Sequence, residues 1–149
     1  MAISNINSLS LDPSGGFPAS ATATVATEQG TTSATFTDLT TAGPAVTLTT
    51  GTKALVTFTS YSYNQTEGAG MAMSFAVSGA TTVAASDTTA SFNQPNGTVK
   101  ADANRYSVTT LVTGLTAGSN TFTAKYKKTD VASTALFKDR QILVIDMGS

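Results

Sequence analysis

The chain has 149 residues and a net charge of −1, and only 11% of its residues are charged. This balance gives no electrostatic footprint for nucleic acid or for an anionic membrane surface. The chain has no Cys and no His, which excludes disulfides, a zinc site with nitrogen and sulfur ligands, and a Ser–His–Asp triad.

The first 20 residues differ from the remainder. Apolar side chains lie among Ser and Asn, and a segment rich in Pro and Gly at 12–18 then breaks any regular structure. We interpret residues 1–20 as an N-terminal arm and residues 21–149 as one domain. The arm is either a frayed terminus or a segment that docks on a neighbouring subunit, because large apolar side chains gain nothing in solvent. In the second case, its partner-binding residues are Ile3, Ile6, Leu9, Leu11 and Phe17.

From residue 21 onward, short apolar or alternating segments are separated by Gly, Pro, Asn and Asp turns. This pattern, together with abundant Thr, is typical of an antiparallel β-sandwich, and the alternation does not distinguish a jelly-roll-like from an Ig-like topology. The segment 71–78 alternates large and small residues, so its small face predicts close approach of a second sheet, a loop or a partner. The segment 140–146 is apolar on both faces and therefore belongs inside a sheet. The predicted strands are 21–26, 32–36, 45–49, 54–63, 71–78, 105–112, 121–128 and 140–146.

The centre of the core is expected where these strands carry their largest inward-facing apolar side chains. Burial of such side chains is the main stabilising contribution, at about 25 cal/mol per Å² removed from water. The predicted core residues are Phe58, Phe75, Phe122, Ile142 and Val144.

The polar residues do not form a recognisable catalytic constellation. The acidic residues are scattered, and most fall in predicted turns, where Asp caps its own backbone. Lys125, Lys127 and Lys128 form a small basic group, with Lys138 and Arg140 nearby in sequence. We interpret this group as a solvated strand face that discourages edge pairing rather than as a polyanion site. Tyr61 and Tyr63 lie on one face of a strand and either contact a sugar or a protein, or sit on a half-buried sheet face. We therefore expect no catalytic residue, no cofactor and no metal.

Residues 50–57 (Thr-Gly-Thr-Lys-Ala-Leu-Val-Thr), 73–81 (Met-Ser-Phe-Ala-Val-Ser-Gly-Ala-Thr) and 111–126 (Leu-Val-Thr-Gly-Leu-Thr-Ala-Gly-Ser-Asn-Thr-Phe-Thr-Ala-Lys-Tyr) occur in a distinctive order, followed by Phe137 and Arg140. In this order and spacing, residues 45–146 resemble a surface module of tailed-bacteriophage virion proteins. The resemblance implies a sandwich on the outside of a phage particle, often as a homotrimer. Such modules occur as capsid decoration (cement) proteins and within neck, head-fibre or tail-fibre proteins, and they offer no catalytic residues.

The chain ends directly after the last predicted strand, so the decoration protein is the expected member of this group. Its partner would be the major capsid protein, with no nucleic acid, membrane or small-molecule substrate. The alternative is a neck, head-fibre or tail-associated adhesion module that binds a host glycan or another virion protein. A small sandwich enzyme is the weakest alternative. No signal peptide is recognisable, so we expect synthesis in the host cytoplasm and a place on the virion surface.

Overall fold

The structure is a computed structural model that describes residues 17–94, 103–130 and 133–149. These residues form an all-β protein with one short 3-10 helix at Asp87–Thr89. Alternation of Thr, Val, Phe and Ala along the chain supplies strands with one apolar face. The strands are β1 (Ser20–Val25), β2 (Gln29–Thr31), β3 (Ala45–Thr50), β4 (Lys53–Asn64), β5 (Met71–Gly79), β6 (Ser91–Asn93), β7 (Asn104–Thr113), β8 (Gly118–Lys128) and β9 (Ala135–Asp146).

Two antiparallel sheets pack face to face. Sheet A has the strand order β1-β9-β4-β7, with β2 also pairing with β9, and sheet B has the order β3-β8-β5-β6. Apart from β2, the strands pair as one long hairpin wrapped around itself: β1 with β9, β3 with β8, β4 with β7 and β5 with β6. This order is that of a jelly roll, so the predicted antiparallel sandwich is confirmed and the jelly roll describes it better than an Ig-like topology.

The core lies between the two sheets, where the inward-facing residues of both meet. The five predicted core residues are at most 3% exposed. The Phe75 ring links the sheets, because its centroid lies 5.7 Å from that of Phe58 and 6.2 Å from that of Phe122. Tilted rings at these separations add a specific contact to the burial of apolar area.

The predicted strand at 32–36 is wrong. The strand in this region is β2, which pairs with the first residues of β9, and the chain then leaves the sheet. Local hydrogen bonds explain the change, because Ser33 Oγ donates to the Thr35 carbonyl at 2.7 Å and accepts from the Thr35 amide at 3.1 Å. Such side-chain bonds to the backbone compete with a sheet ladder. Only Thr37 regains a bridge, to Tyr126.

The last strand is longer than predicted and contains a β-bulge. It lies between β1 and β4, which confirms the central position expected from its two apolar faces. Its register with β4 shifts between Thr59 and Tyr61, so Asp139 and Arg140 together face one residue of β4. Asp139 adopts a φ of 48°, a conformation that Asp tolerates better than most residues. Because of the extra residue, both Phe137 and Arg140 point into the interior, at 1% and 0% exposure.

Candidate functional site

The residues predicted to bind a partner are only partly described. Ile3, Ile6, Leu9 and Leu11 lie outside the described residues. Phe17 is 95% exposed, three residues before β1 begins. Its ring is therefore available to a partner and contributes nothing to the core.

Tyr61 and Tyr63 differ in exposure. Tyr63 is 5% exposed, and its hydroxyl donates to Glu28 Oε1 at 3.0 Å. Burial and the neighbouring Glu28 carboxylate raise the pKa of Tyr63 above its ordinary value. Tyr61 is half-buried, and Lys138 Nζ lies 4.7 Å from its ring centroid. The pair therefore offers one ring to a partner, Tyr61, rather than two.

The predicted basic group does not form an open cationic face. β8 is an interior strand of sheet B, so its lysines do not protect a sheet edge as the sequence interpretation assumed. Lys125 Nζ lies 2.7 Å from Asp38 Oδ2, and Lys127 Nζ lies 2.5 Å from Asp87 Oδ1. The Lys127 side chain is only 13% exposed.

The chain's own loops cover much of the outer face of sheet B. Lys127 Nζ lies 4.7 Å from the Phe36 ring centroid and 5.7 Å from that of Phe92. On β5, Ser74 Oγ donates to the Ser86 carbonyl at 3.1 Å, which holds the segment before the 3-10 helix against the small-residue face. The sequence predicted that a second sheet, a loop or a partner approaches this small-residue face. In the structure, a loop of the same chain contacts it.

Arg140 was placed near the basic group by sequence, but its side chain is fully buried. The guanidinium donates to Gln29 Oε1 at 3.0 Å, to the Gly43 carbonyl at 3.1 Å and to the Thr41 carbonyl at 3.3 Å. It also lies 5.3 Å from the Tyr126 ring centroid, a cation–π distance. Arg140 therefore fastens the segment between β2 and β3 to sheet A and is not a surface cation.

The acidic side chains mostly stabilise the fold. Asp146 Oδ1 accepts from the Gly51 amide at 2.8 Å and from the Gly148 amide at 3.1 Å, and Asp130 Oδ2 accepts from the Gly70 amide. Within 17–94, 103–130 and 133–149, no group of three or more acidic side chains could hold a metal ion. In the same ranges, no helix has the length and hydropathy needed to cross a bilayer.

One side of sheet A, here called the outer face, carries large apolar side chains that point away from the core. Leu55 lies directly between Leu111 on β7 and Ile145 on β9, so the three form one row across the sheet. Leu111 is 53% exposed and its two neighbours are half-buried. In the described part of the chain, no strand packs over this row.

A second row of the outer face is neutral and hydroxyl-rich. It runs from Thr109 through Thr57 and Leu143 to Thr22. The hydroxyls of Thr57 and Thr109 are 2.8 Å apart, so one donates a hydrogen bond to the other. A partner can thus cover these groups without leaving them unpaired, which keeps the cost of desolvation small.

No protein-family model matches the chain, and no curated protein matches its sequence. Inference about function therefore depends on these surfaces and on the sequence resemblance. The sequence of β4 and β9 already indicated the outer face. Leu55, Leu143 and Ile145 alternate with the core positions of these strands and therefore point to the opposite face. Sequence reasoning missed it because an apolar residue on either face of a strand was assigned to burial.

Proposed function

We propose that the chain is a phage capsid decoration (cement) protein, which binds the outer capsid surface and stabilises the shell. The observation that carries this proposal is the outer face of sheet A, an apolar and hydroxyl-rich surface that no strand covers among the described residues. By contrast, loops and ion pairs cover much of the outer face of sheet B. The sequence resemblance supplies the phage setting, with the major capsid protein as partner.

The size of the outer face supports a stable protein contact. The face has three strands of 10 to 12 residues and the shorter edge strand β1. With strands about 4.8 Å apart and about 3.3 Å per residue, it spans roughly 19 by 33 Å. That footprint of roughly 600 Å² approaches the about 800 Å² per partner that is typical of specific interfaces. Many such contacts on one shell would act together, so each bound copy opposes disassembly by mass action.

The proposal is tested by binding to expanded capsids that lack the protein, prepared from the phage that encodes it. Leu55→Lys/Leu143→Lys places two charges on the outer face, and we expect binding at least about tenfold weaker because each buried, unpaired charge is costly. The matched control is Ala45→Lys/Thr49→Lys, which adds the same charge at exposed positions of β3 and should bind normally. Circular dichroism checks that both variants are folded.

Two results would contradict the proposal. One is undiminished capsid binding by Leu55→Lys/Leu143→Lys. The other is the copy number in purified virions, measured by quantitative mass spectrometry against the major capsid protein. A number comparable to the capsid protein supports decoration, whereas a few copies per particle, or none, would contradict it.

The arm at residues 1–20 is proposed as a second contact with the shell. Deletion of residues 1–18 ends before β1 and should leave a folded domain that binds capsids weakly. Equal binding by the shortened and full-length chains would remove the arm from the proposal. The resemblance also makes a homotrimer the expected assembly on the shell.

A role as an adhesion module is the second candidate, and the exposed part of the Tyr61 ring favours it. An aromatic face beside the cation of Lys138 is chemistry that sugar and protein contacts use. Binding to a glycan array that Tyr61→Ala abolishes would support this candidate. The absence of binding to the glycan array, together with normal particle assembly by Tyr61→Ala, would argue against it.

A further inference from the structure

The four sheet edges of this sandwich are not equally protected. Three are short: β3 has six residues, β6 has three, and the β1 side of sheet A is divided between six residues in β1 and three in β2. The fourth edge is β7, with ten consecutive residues. In the part of the chain that the structure describes, β7 pairs only with β4, so no described strand pairs with the other side of residues 105–113.

β7 also lacks the devices that usually block strand addition. It contains no Pro and no Lys, and its one charged residue is Arg105, which lies 3.9 Å from Asp139 of the same chain. Its inward-pointing residues Val108 and Val112 are only half-buried, because the neighbouring edge strand β6 is short. A long, almost uncharged edge with apolar side chains on both faces is a template for another strand.

We propose that the free edge of β7 pairs with β7 of a second copy of this chain, so that sheet A continues across a two-fold axis. Two copies of β7 that pair antiparallel are compatible with such an axis. Residues that lie opposite each other across the axis must then point to the same face of sheet A. Val108 or Thr109 on the axis satisfies this condition. Arg105 then faces Leu111 or Thr113 of the other copy, so no like charges meet.

The area available agrees with a stable dimer. The β7 side of the sandwich is about 33 Å long, and two sheets 10 Å apart with their outer side chains make it roughly 20 Å deep. Each copy would bury roughly 650 Å², so the total of roughly 1,300 Å² lies within the usual range for specific interfaces. This inference does not depend on the proposed capsid role, because the purified chain alone should form the pair.

The test combines solution mass with hydrogen exchange of the full-length chain. We expect sedimentation equilibrium to show a dimer, and protection of the alternate β7 amides that face away from β4 to rise with protein concentration. Ser107→Lys/Leu111→Lys places like charges opposite each other in either register. It should weaken the dimer at least about tenfold. The control Ala45→Lys/Thr49→Lys adds the same charge on β3 and should leave the dimer intact.

The inference is overturned by a monomer at every concentration, or by an oligomer of another size, including the homotrimer that the sequence resemblance implies. A dimer that the folded variant Ser107→Lys/Leu111→Lys leaves intact would overturn it equally. The hydrogen-exchange result stands without any variant, so a substitution that fails to fold does not remove the test. Undiminished capsid binding by Leu55→Lys/Leu143→Lys, together with an intact dimer, would refute the proposed function alone.

Discussion

Replacing the buried Arg140 tests whether this residue holds the segment between β2 and β3. The guanidinium donates two hydrogen bonds to carbonyls of that segment, Thr41 at 3.3 Å and Gly43 at 3.1 Å, and a third to Gln29 Oε1 of β2 at 3.0 Å. Bonds from a charged donor contribute about 1.5–3 kcal/mol each, but the Gly43 carbonyl keeps a second donor in the Tyr126 hydroxyl. Truncation of a large buried side chain to Ala typically costs about 2–5 kcal/mol, and we expect Arg140→Ala to fall in that range.

The assay is urea denaturation followed by circular dichroism. Arg140→Met fills most of the space without donating, so it should lose only about 1–2 kcal/mol, and the difference from Arg140→Ala measures the cavity. Arg105→Ala is the matched control: its side chain is 53% exposed, and it should change the free energy of unfolding by at most about 0.5 kcal/mol. If Arg140→Ala lost no more than this control, the proposed role of the buried guanidinium would be refuted.

Two further predictions concern buried polar groups. Burial raises the pKa of Tyr126, with Arg140 opposing the shift, so its contribution to stability is complete below the ordinary value of 10.0 and is lost as the pH rises through the folded value. Urea titrations should therefore show a smaller alkaline loss of stability in Tyr126→Phe than in the wild type, and an equal loss would contradict this. Asn120 is fully buried; its amide donates to Thr50 Oγ1 at 2.9 Å, and its carbonyl accepts from the Thr81 amide at 2.8 Å. Asn120→Ala should lose about 2–3 kcal/mol in the same assay, whereas Thr49→Ala at an exposed position should lose almost none.

The sequence pattern predicted those strands and core positions that depend only on the alternation of residues within one segment. The segment that became β5 has an uninterrupted alternation, and its large residues Met71, Met73, Phe75 and Val77 are all buried as expected. The predicted core followed from the same period of two. Alternation fixes which side chains share a face, and only the side with larger apolar groups can drive association of the sheets.

Features that depend on distant partners could not be predicted. The burial of Arg140 is one example, because charged residues are rarely buried and its acceptors on Gln29, Thr41 and Gly43 lie about a hundred residues earlier in the chain. Before the bulge at Asp139 the odd-numbered residues of β9 point inward, and after it the even-numbered residues do. No periodicity in the sequence indicates this change. The outer face of sheet A could not be predicted either, because it depends on which sheet the loops cover. The loops cover sheet B through the pairs Lys125–Asp38 and Lys127–Asp87, which form only in the folded chain.

The pairing of the earliest strand with the latest has a consequence for how the chain is made. β9 lies between β1 and β4, so neither sheet-A strand has this neighbour until residues 135–146 have left the ribosome. Strand pairs of such long sequence separation form slowly. Until they form, the unpaired strand edges are prone to associate with other chains. We therefore expect sheet A to be completed only after β9 has left the ribosome. Ribosome-bound chains that lack β9 should be readily digested by protease along their whole length.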